Sequence, residues 1–270
     1  SKIVLDNVKI PTENACQLIP FLRKIQQAYG DPIALVHDMG SAILHAVEAV
    51  FPGVPDYICH FHFLKDIGND LFGHDYSTIR RHLRTHRIRS QLQKMAKGIN
   101  KAIEGDVEPR QCLRRYLESK QLHGPQTPLH PLVTAYLIIN WVLEAKNESH
   151  GFGFPFDRPH LDFYRRLQDA YPKLKALKQT MAAGGSLLPL MPISKTLADQ
   201  ALANTVSRML EKTGIFDQLR AAMRIAQPDS QAGLNDEGDA DIKTIKARVS
   251  LFRKKKKINV IKIKVKILKS

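Results

Sequence analysis

Cysteine is scarce in this sequence: Cys16, Cys59 and Cys112 are odd in number and far apart. That excludes a disulfide framework and fits a reducing compartment, so a cytoplasmic location is expected, nucleoid-associated if the source is prokaryotic. Long apolar runs are missing as well. No stretch reaches the roughly 18 consecutive apolar residues of a membrane helix, so no span is expected. The opening residues Ser1-Lys2-Ile3-Val4-Leu5-Asp6 lack the basic, apolar, then small-residue pattern of a secretory leader. They also lack an initiator methionine, and the chain is expected to begin inside a longer one.

Acidic residues are absent from two segments, and this shapes the charge. The formal net charge is +15, but residues 253–270 hold nine Lys/Arg and no acid, which leaves about +6 for the first 252 residues. The second acid-free segment is 80–101, with Arg80, Arg81, Arg84, Arg87, Arg89, Lys94, Lys97 and Lys101. Such a stripe suits a phosphate backbone, so these eight residues are the candidate DNA-binding set. A solvated helix face is the plainer alternative, and charge alone leaves both open.

With 43% hydrophobic residues in 270, the chain can build one large or two small cores. Residues 2–10 (KIVLDNVKI) alternate as a strand does. Thr12 is a candidate N-cap for a helix carrying Ala15, Leu18, Ile19, Leu22 and Ile25, which Gly30-Asp31-Pro32 ends. Ile33–Val36 is a short continuous apolar run, expected for a strand buried on both faces. A helix with Ile43, Ala46, Val47 and Val50 follows, then a strand over Val54–Cys59, then another helix from His60. The order strand–helix–strand–helix–strand–helix over residues 1–70 implies an α/β unit with parallel pairing.

After about residue 75 the pattern turns helical up to residue 226. Breaks fall at Gly124-Pro125, Gly151–Pro155 and Gly184–Pro192. Leu132–Ala145 reads as a buried helix with Trp141 in the core, and Ser194 as the cap of a helix reaching about Thr213. Residues 227–252 read as a linker and the start of a helix. The tail 253–270 switches abruptly to Lys and Ile, as translation of an A/T-rich stretch in the wrong frame would. The alternative is a basic nucleic-acid or membrane-surface tail. Four regions result: 1–75, 76–226, 227–252 and 253–270.

Chemistry centres on Asp38, one step past a predicted buried strand. Functional groups of open α/β sheets sit outside the carboxyl ends of the strands. A carboxylate there can share a divalent metal with substrate phosphate. A turn aspartate or helix N-cap is the ordinary alternative. Cys59 and His62 are both good zinc ligands, yet a structural site needs four, and no second pair stands at a typical spacing. Phe61, Phe63 and Leu64 read as core. The aromatic turn Gly151–Pro159 reads as docking its three Phe into the helical region rather than stacking on a DNA end. No His/Asn context makes Cys16 or Cys112 a nucleophile.

The run Leu35-Val36-His37-Asp38-Met39-Gly40-Ser41-Ala42-Ile43, with Ala46-Val47, Val50-Phe51-Pro52 and Cys59-His60-Phe61-His62, resembles DDE transposases of the Mutator-like type and their bacterial relatives. Tyr29-Gly30-Asp31-Pro32 matches the lead-in of that family, and the resemblance covers roughly residues 12–70. It implies a partial RNase H-like α/β sheet followed by a large, mainly α-helical insertion. It makes Asp38 the second catalytic Asp and a metal ligand, and Cys59 and His62 the motif pair of the next strand. It implies Mg²⁺ or Mn²⁺ in the complete family member, and as partners transposon ends, target DNA and an oligomeric assembly.

The resemblance also implies that much is absent. Asp6 would lie on the third strand and not the first, because 32 residues from Asp6 to Asp38 cannot hold two more strands and a helix. Glu144 and Glu148 are the candidates inside the chain for the final Glu, but that residue is expected beyond 252. The expected function is that of a transposase fragment, inactive in strand transfer by itself. A transposase-derived DNA-binding protein without catalysis is the alternative. An unrelated enzyme using Asp38 and His62 as an acid/base pair is a third reading.

Overall fold

The computed structural model describes residues 3–38, 40–119, 130–145 and 151–223, together with Ala247 and Ser250. The break expected at Gly124-Pro125, Glu148, the tail 253–270 and, apart from those two residues, the linker 227–252 lie outside the described residues. The chain divides into two compact units, residues 1–67 with 215–270, and residues 68–214.

The first unit is built on a β–α–β element. Asn14 is extended and its side chain accepts from Gln17 N at 2.9 Å, so it caps α1 (Ala15–Tyr29). Asn14, not Thr12, therefore holds this helix start, because it is the residue directly before the first helical turn. Gly30, at φ +81°, closes the helix with its N–H on Gln26 O. β1 (Leu35–His37) leads into α2 (Ser41–Val50), which packs on α1 and buries Ala46, Val47 and Val50. After Phe51, also buried, and a turn at Gly53, β2 (Asp56–Ile58) pairs parallel to β1. The register is Leu35 with Asp56, Val36 with Tyr57 and His37 with Ile58.

The strands expected around Ile33–Val36 and Val54–Cys59 are thus present and parallel, at three residues each. Two expectations for this region fail. Residues 3–10 form no strand: Ile3 and Val4 are mostly exposed and no ladder holds them. Alternation supplies a strand pattern, but a strand also needs a paired neighbour. Nor is β1 buried on both faces, since the cross-strand neighbours Val36 and Tyr57 are 69% and 47% exposed.

α3 (His60–Thr85) starts in the first unit and carries on into the second, which is helical. There α4 (Ile88–Gly105) buries Ile88, Leu92, Met95, Ile99 and Ile103, a spacing of three and four that puts them on one stripe. That helix packs against α5 (Val107–Ser119) and α6 (Pro131–Glu144). α6 buries Val133, Ala135, Ile139 and Val142 and packs on α7 (Pro159–Thr180). Leu161, Phe163, Tyr164, Leu167, Ala170 and Leu174 fill the core side of α7. A 3₁₀ turn (Ala182–Leu187), α8 (Met191–Leu197) and α9 (Gln200–Ala222) complete the order.

The turn before α7 behaves as expected. Gly151 and Gly153 take positive φ, Asp157 accepts from Gly153 N at 2.7 Å, Phe154 stacks on Tyr76 with ring centroids 4.5 Å apart, and Phe156 is buried. Two details differ from the sequence reading. Trp141 is 39% exposed under the Arg166 guanidinium, because it falls on the open side of an otherwise apolar helix. Ser194 lies inside α8 instead of capping a longer helix, as the break comes at Ala198-Asp199, where Asp199 accepts from Leu202 N. Among the described residues, no helix is long and apolar enough to cross a membrane.

Candidate functional site

The end of β1 delivers Asp38 to the carboxyl edge of the two-stranded sheet. Cys59, one residue past β2, donates its backbone N–H to His37 O at 2.8 Å, so the ladder sets positions 38 and 59 side by side. Asp38 is exposed, and its Oδ1 accepts from Gly40 N at 3.1 Å. Gly40 precedes α2 and has no side chain to cap it, so Asp38 does part of that work. Sequence reading missed Glu13. A Cβ built on Gly40 would stand 2.9 Å from Glu13 Oε1 and 3.1 Å from Asp38 Oδ1, so the bare glycine lets two carboxylates flank one point.

The neighbours of Asp38 are polar. His37 Nδ1 faces the Asp38 carbonyl, and Asp56 Oδ1 stands 2.6 Å from His37 Nε2, an ion-pair approach without a directed hydrogen bond. Cys59 is half-buried with a free thiol, whereas His62 is exposed and sets its ring edgewise to Phe61. His60 is half-buried, and burial pushes its pKa below the ordinary histidine value. Phe61 and Phe63 are half-buried and Leu64 is fully buried.

Divalent-metal binding can be tested on these donors. Among the described residues, no three His, Cys, Asp or Glu side chains gather in a way that could hold a metal ion. Glu144 is exposed at the end of α6 and belongs to the other unit. The described donors do not build a Mg²⁺ or Mn²⁺ site, and no chemical step below runs through one.

The basic segment makes a more complete site. α3 and α4 meet at a tight corner over Thr85-His86-Arg87, where Arg87 takes φ 51° and ψ 31°, the left-handed region rarely entered by side-chain-bearing residues. The corner is closed by Arg87 N on Arg84 O at 3.0 Å and by Gln91 Nε2 on His86 O at 2.9 Å. Arg80 and Arg84 from the end of α3, Arg87 from the corner, and Arg89 and Lys94 from α4 line one open cleft of about 790 Å³. Leu83, Ser90, His160 and Phe163 complete its wall, and no carboxylate lines it.

Five of the eight predicted basic residues therefore share one cleft, and Arg81, Lys97 and Lys101 do not line it. All eight are exposed except Arg89, which is half-buried and donates from Nη1 to Leu143 O at 3.4 Å. Spacing gives part of this away: 80, 84 and 87 step by four and three along one helical stripe, and 81 lies off it. His160 and Phe163 come from α7 and carried no signal in the sequence.

Beside the cleft, the His82 and His86 rings lie 4.4 Å apart and Asp199 Oδ2 is 3.5 Å from His82 Nε2. Burial, then the neighbouring His86, holds His82 below the ordinary histidine pKa, against an opposing pull from Asp199. Compared with known proteins, the chain matches no family model, no curated protein and no solved structure.

Proposed function

We propose that this chain is a segment of a DDE-type DNA transposase that grips the DNA backbone through the α3–α4 cleft and does not cut or join strands by itself. The observation that carries the reading is the cleft, where five cationic side chains converge and no carboxylate opposes them. Phosphates are the natural partner of such a surface, since guanidinium groups bind phosphate oxygens bidentately and cations displace condensed counterions. The transposase part rests on the Asp38–Cys59 juxtaposition at the carboxyl ends of two parallel strands, in keeping with the motif resemblance and with a partial RNase H-like sheet. In the intact protein, Asp38 would be one of three carboxylates holding Mg²⁺ or Mn²⁺.

A second reading, a transposase-derived DNA-binding protein with no catalytic role, is favoured by the hydrogen bond that ties Asp38 to the start of α2. Both readings predict binding without chemistry. Fluorescence anisotropy with a labelled duplex at low salt should show binding that weakens as salt rises. Incubation of the same duplex with Mg²⁺ should leave it uncut. A chain that fails to bind duplex even at low salt overturns the DNA assignment. Mg²⁺-dependent cleavage that Asp38→Ala abolishes overturns the claim that the chain is inactive.

A further inference from the structure

Resting on the DNA reading, we infer that the cleft recognises consecutive backbone phosphates of duplex DNA without reading bases, and that only five of the eight basic residues take part. The polar groups at its wall are four arginines, one lysine, one serine and one histidine. Asn and Gln, which read adenine, and Asp and Glu, which read cytosine, are missing from the lining. Its aromatic side chain, Phe163, is 1% exposed, so it offers no face for an unstacked base. Single-strand binders depend on such aromatic platforms, whereas a duplex presents its phosphates without any. Leu83 is 6% exposed and equally unable to wedge into a base step.

The partition follows from geometry. Lys97 and Lys101 lie further along α4 than Lys94, and Arg81 lies off the Arg80–Arg84–Arg87 stripe. Charge counting over 80–101 predicts equal contributions from all eight. The cleft predicts that five release counterions and three do not.

The salt dependence of duplex binding tells these apart. Five phosphate contacts give a slope of log K against log salt of about −4.5, and eight give about −7. Arg80→Gln, Arg84→Gln and Lys94→Gln, all exposed helical positions, should each make the slope shallower by about 1. The triple variant Arg81→Gln/Lys97→Gln/Lys101→Gln should leave it unchanged, with circular dichroism confirming that every variant is folded. A/T-rich and G/C-rich duplexes should bind within about twofold, and single strands more weakly with a slope near −3.5.

The inference fails, while the DNA reading stands, if the Arg81/Lys97/Lys101 triple flattens the slope as much as the cleft variants do. It fails equally if one base composition or the single strand wins by tenfold. Absence of any duplex binding by the unmodified chain removes the DNA reading and the inference with it.

Discussion

Replacing Asp75 with Asn tests whether the helical unit is held by a buried carboxylate. Asp75 sits on α3 with its side chain 3% exposed. Arg208 donates to it from Nη2 at 2.6 Å and from Nε at 3.2 Å, and Lys212 from Nζ at 2.7 Å. Both partners stand one turn apart on α9, so one carboxylate ties α3 to α9 across more than 130 residues of sequence. Burial alone would raise the carboxyl pKa. The hydrogen bonds from Arg208 and then Lys212 outweigh it and hold the pKa below the ordinary aspartate value of 3.8. Stripping one partner from a fully buried pair typically costs about 3–5 kcal/mol. The side chains of Arg208 and Lys212 are 52% and 34% exposed, so both rehydrate once the carboxylate is gone. Solvent screening brings the expected loss for Asp75→Asn down to about 1–2 kcal/mol.

The sign with pH is fixed. A carboxyl whose folded pKa is depressed stabilises fully above its unfolded value, near pH 4, and that stabilisation disappears as pH falls through the folded value. Urea melts followed by circular dichroism should show a lower midpoint for the variant at neutral pH. The gap should close progressively below about pH 4. Equal midpoints at neutral pH, or a gap that widens with acid, would refute the reasoning.

Two further outcomes follow from the packing and the histidine pair. Ile99→Ala empties a fully buried position on α4 and should cost about 2–5 kcal/mol in the same melts, while Lys97→Ala two residues away stays within about 0.5 kcal/mol of the parent. His82, whose folded pKa is depressed chiefly by burial, should titrate by NMR below about pH 6.5. The unfolded chain protonates first, so stability falls as pH drops through that value, and His82→Gln should remove part of the fall between about pH 7.5 and pH 5.

How far the fold was legible depends on whether its cause is local. The helix stripe Ile88–Leu92–Met95–Ile99–Ile103 and the βαβ order around Asp38 are local patterns, and both are present. KIVLDNVKI shows the other case: it has the composition and alternation of a strand, yet pairing is a relation between two segments, and no described segment pairs with it. Trp141 fails for a similar reason. An apolar helix is expected to bury its largest residue, but which side of α6 faces α4 and α7 is set by those helices. Thr12 and Asn14 are both good caps, and two residues of register decided between them. For the basic site, the charge run was visible and its division was not. The corner at Arg87 and the wall contributed by His160 and Phe163 depend on long-range packing that no run of charge encodes.

The two halves of the proposed function differ in how they tolerate incompleteness. Metal-assisted strand transfer requires several carboxylates to converge within a few ångströms, and removing any one disperses the charge that holds the ions. Asp38 with a single backbone hydrogen bond from Gly40, and Glu13 as its neighbour across that glycine, falls short of such a set among the described residues. Backbone binding is graded instead: each cation releases its own share of counterions, so every contact retained keeps its own increment of affinity. A polypeptide with five cations around one cleft and one carboxylate at a strand end is therefore expected to keep its grip on DNA while lacking the chemistry. This asymmetry makes the salt slope, and not catalytic turnover, the measurement through which the proposed origin of the chain is accessible.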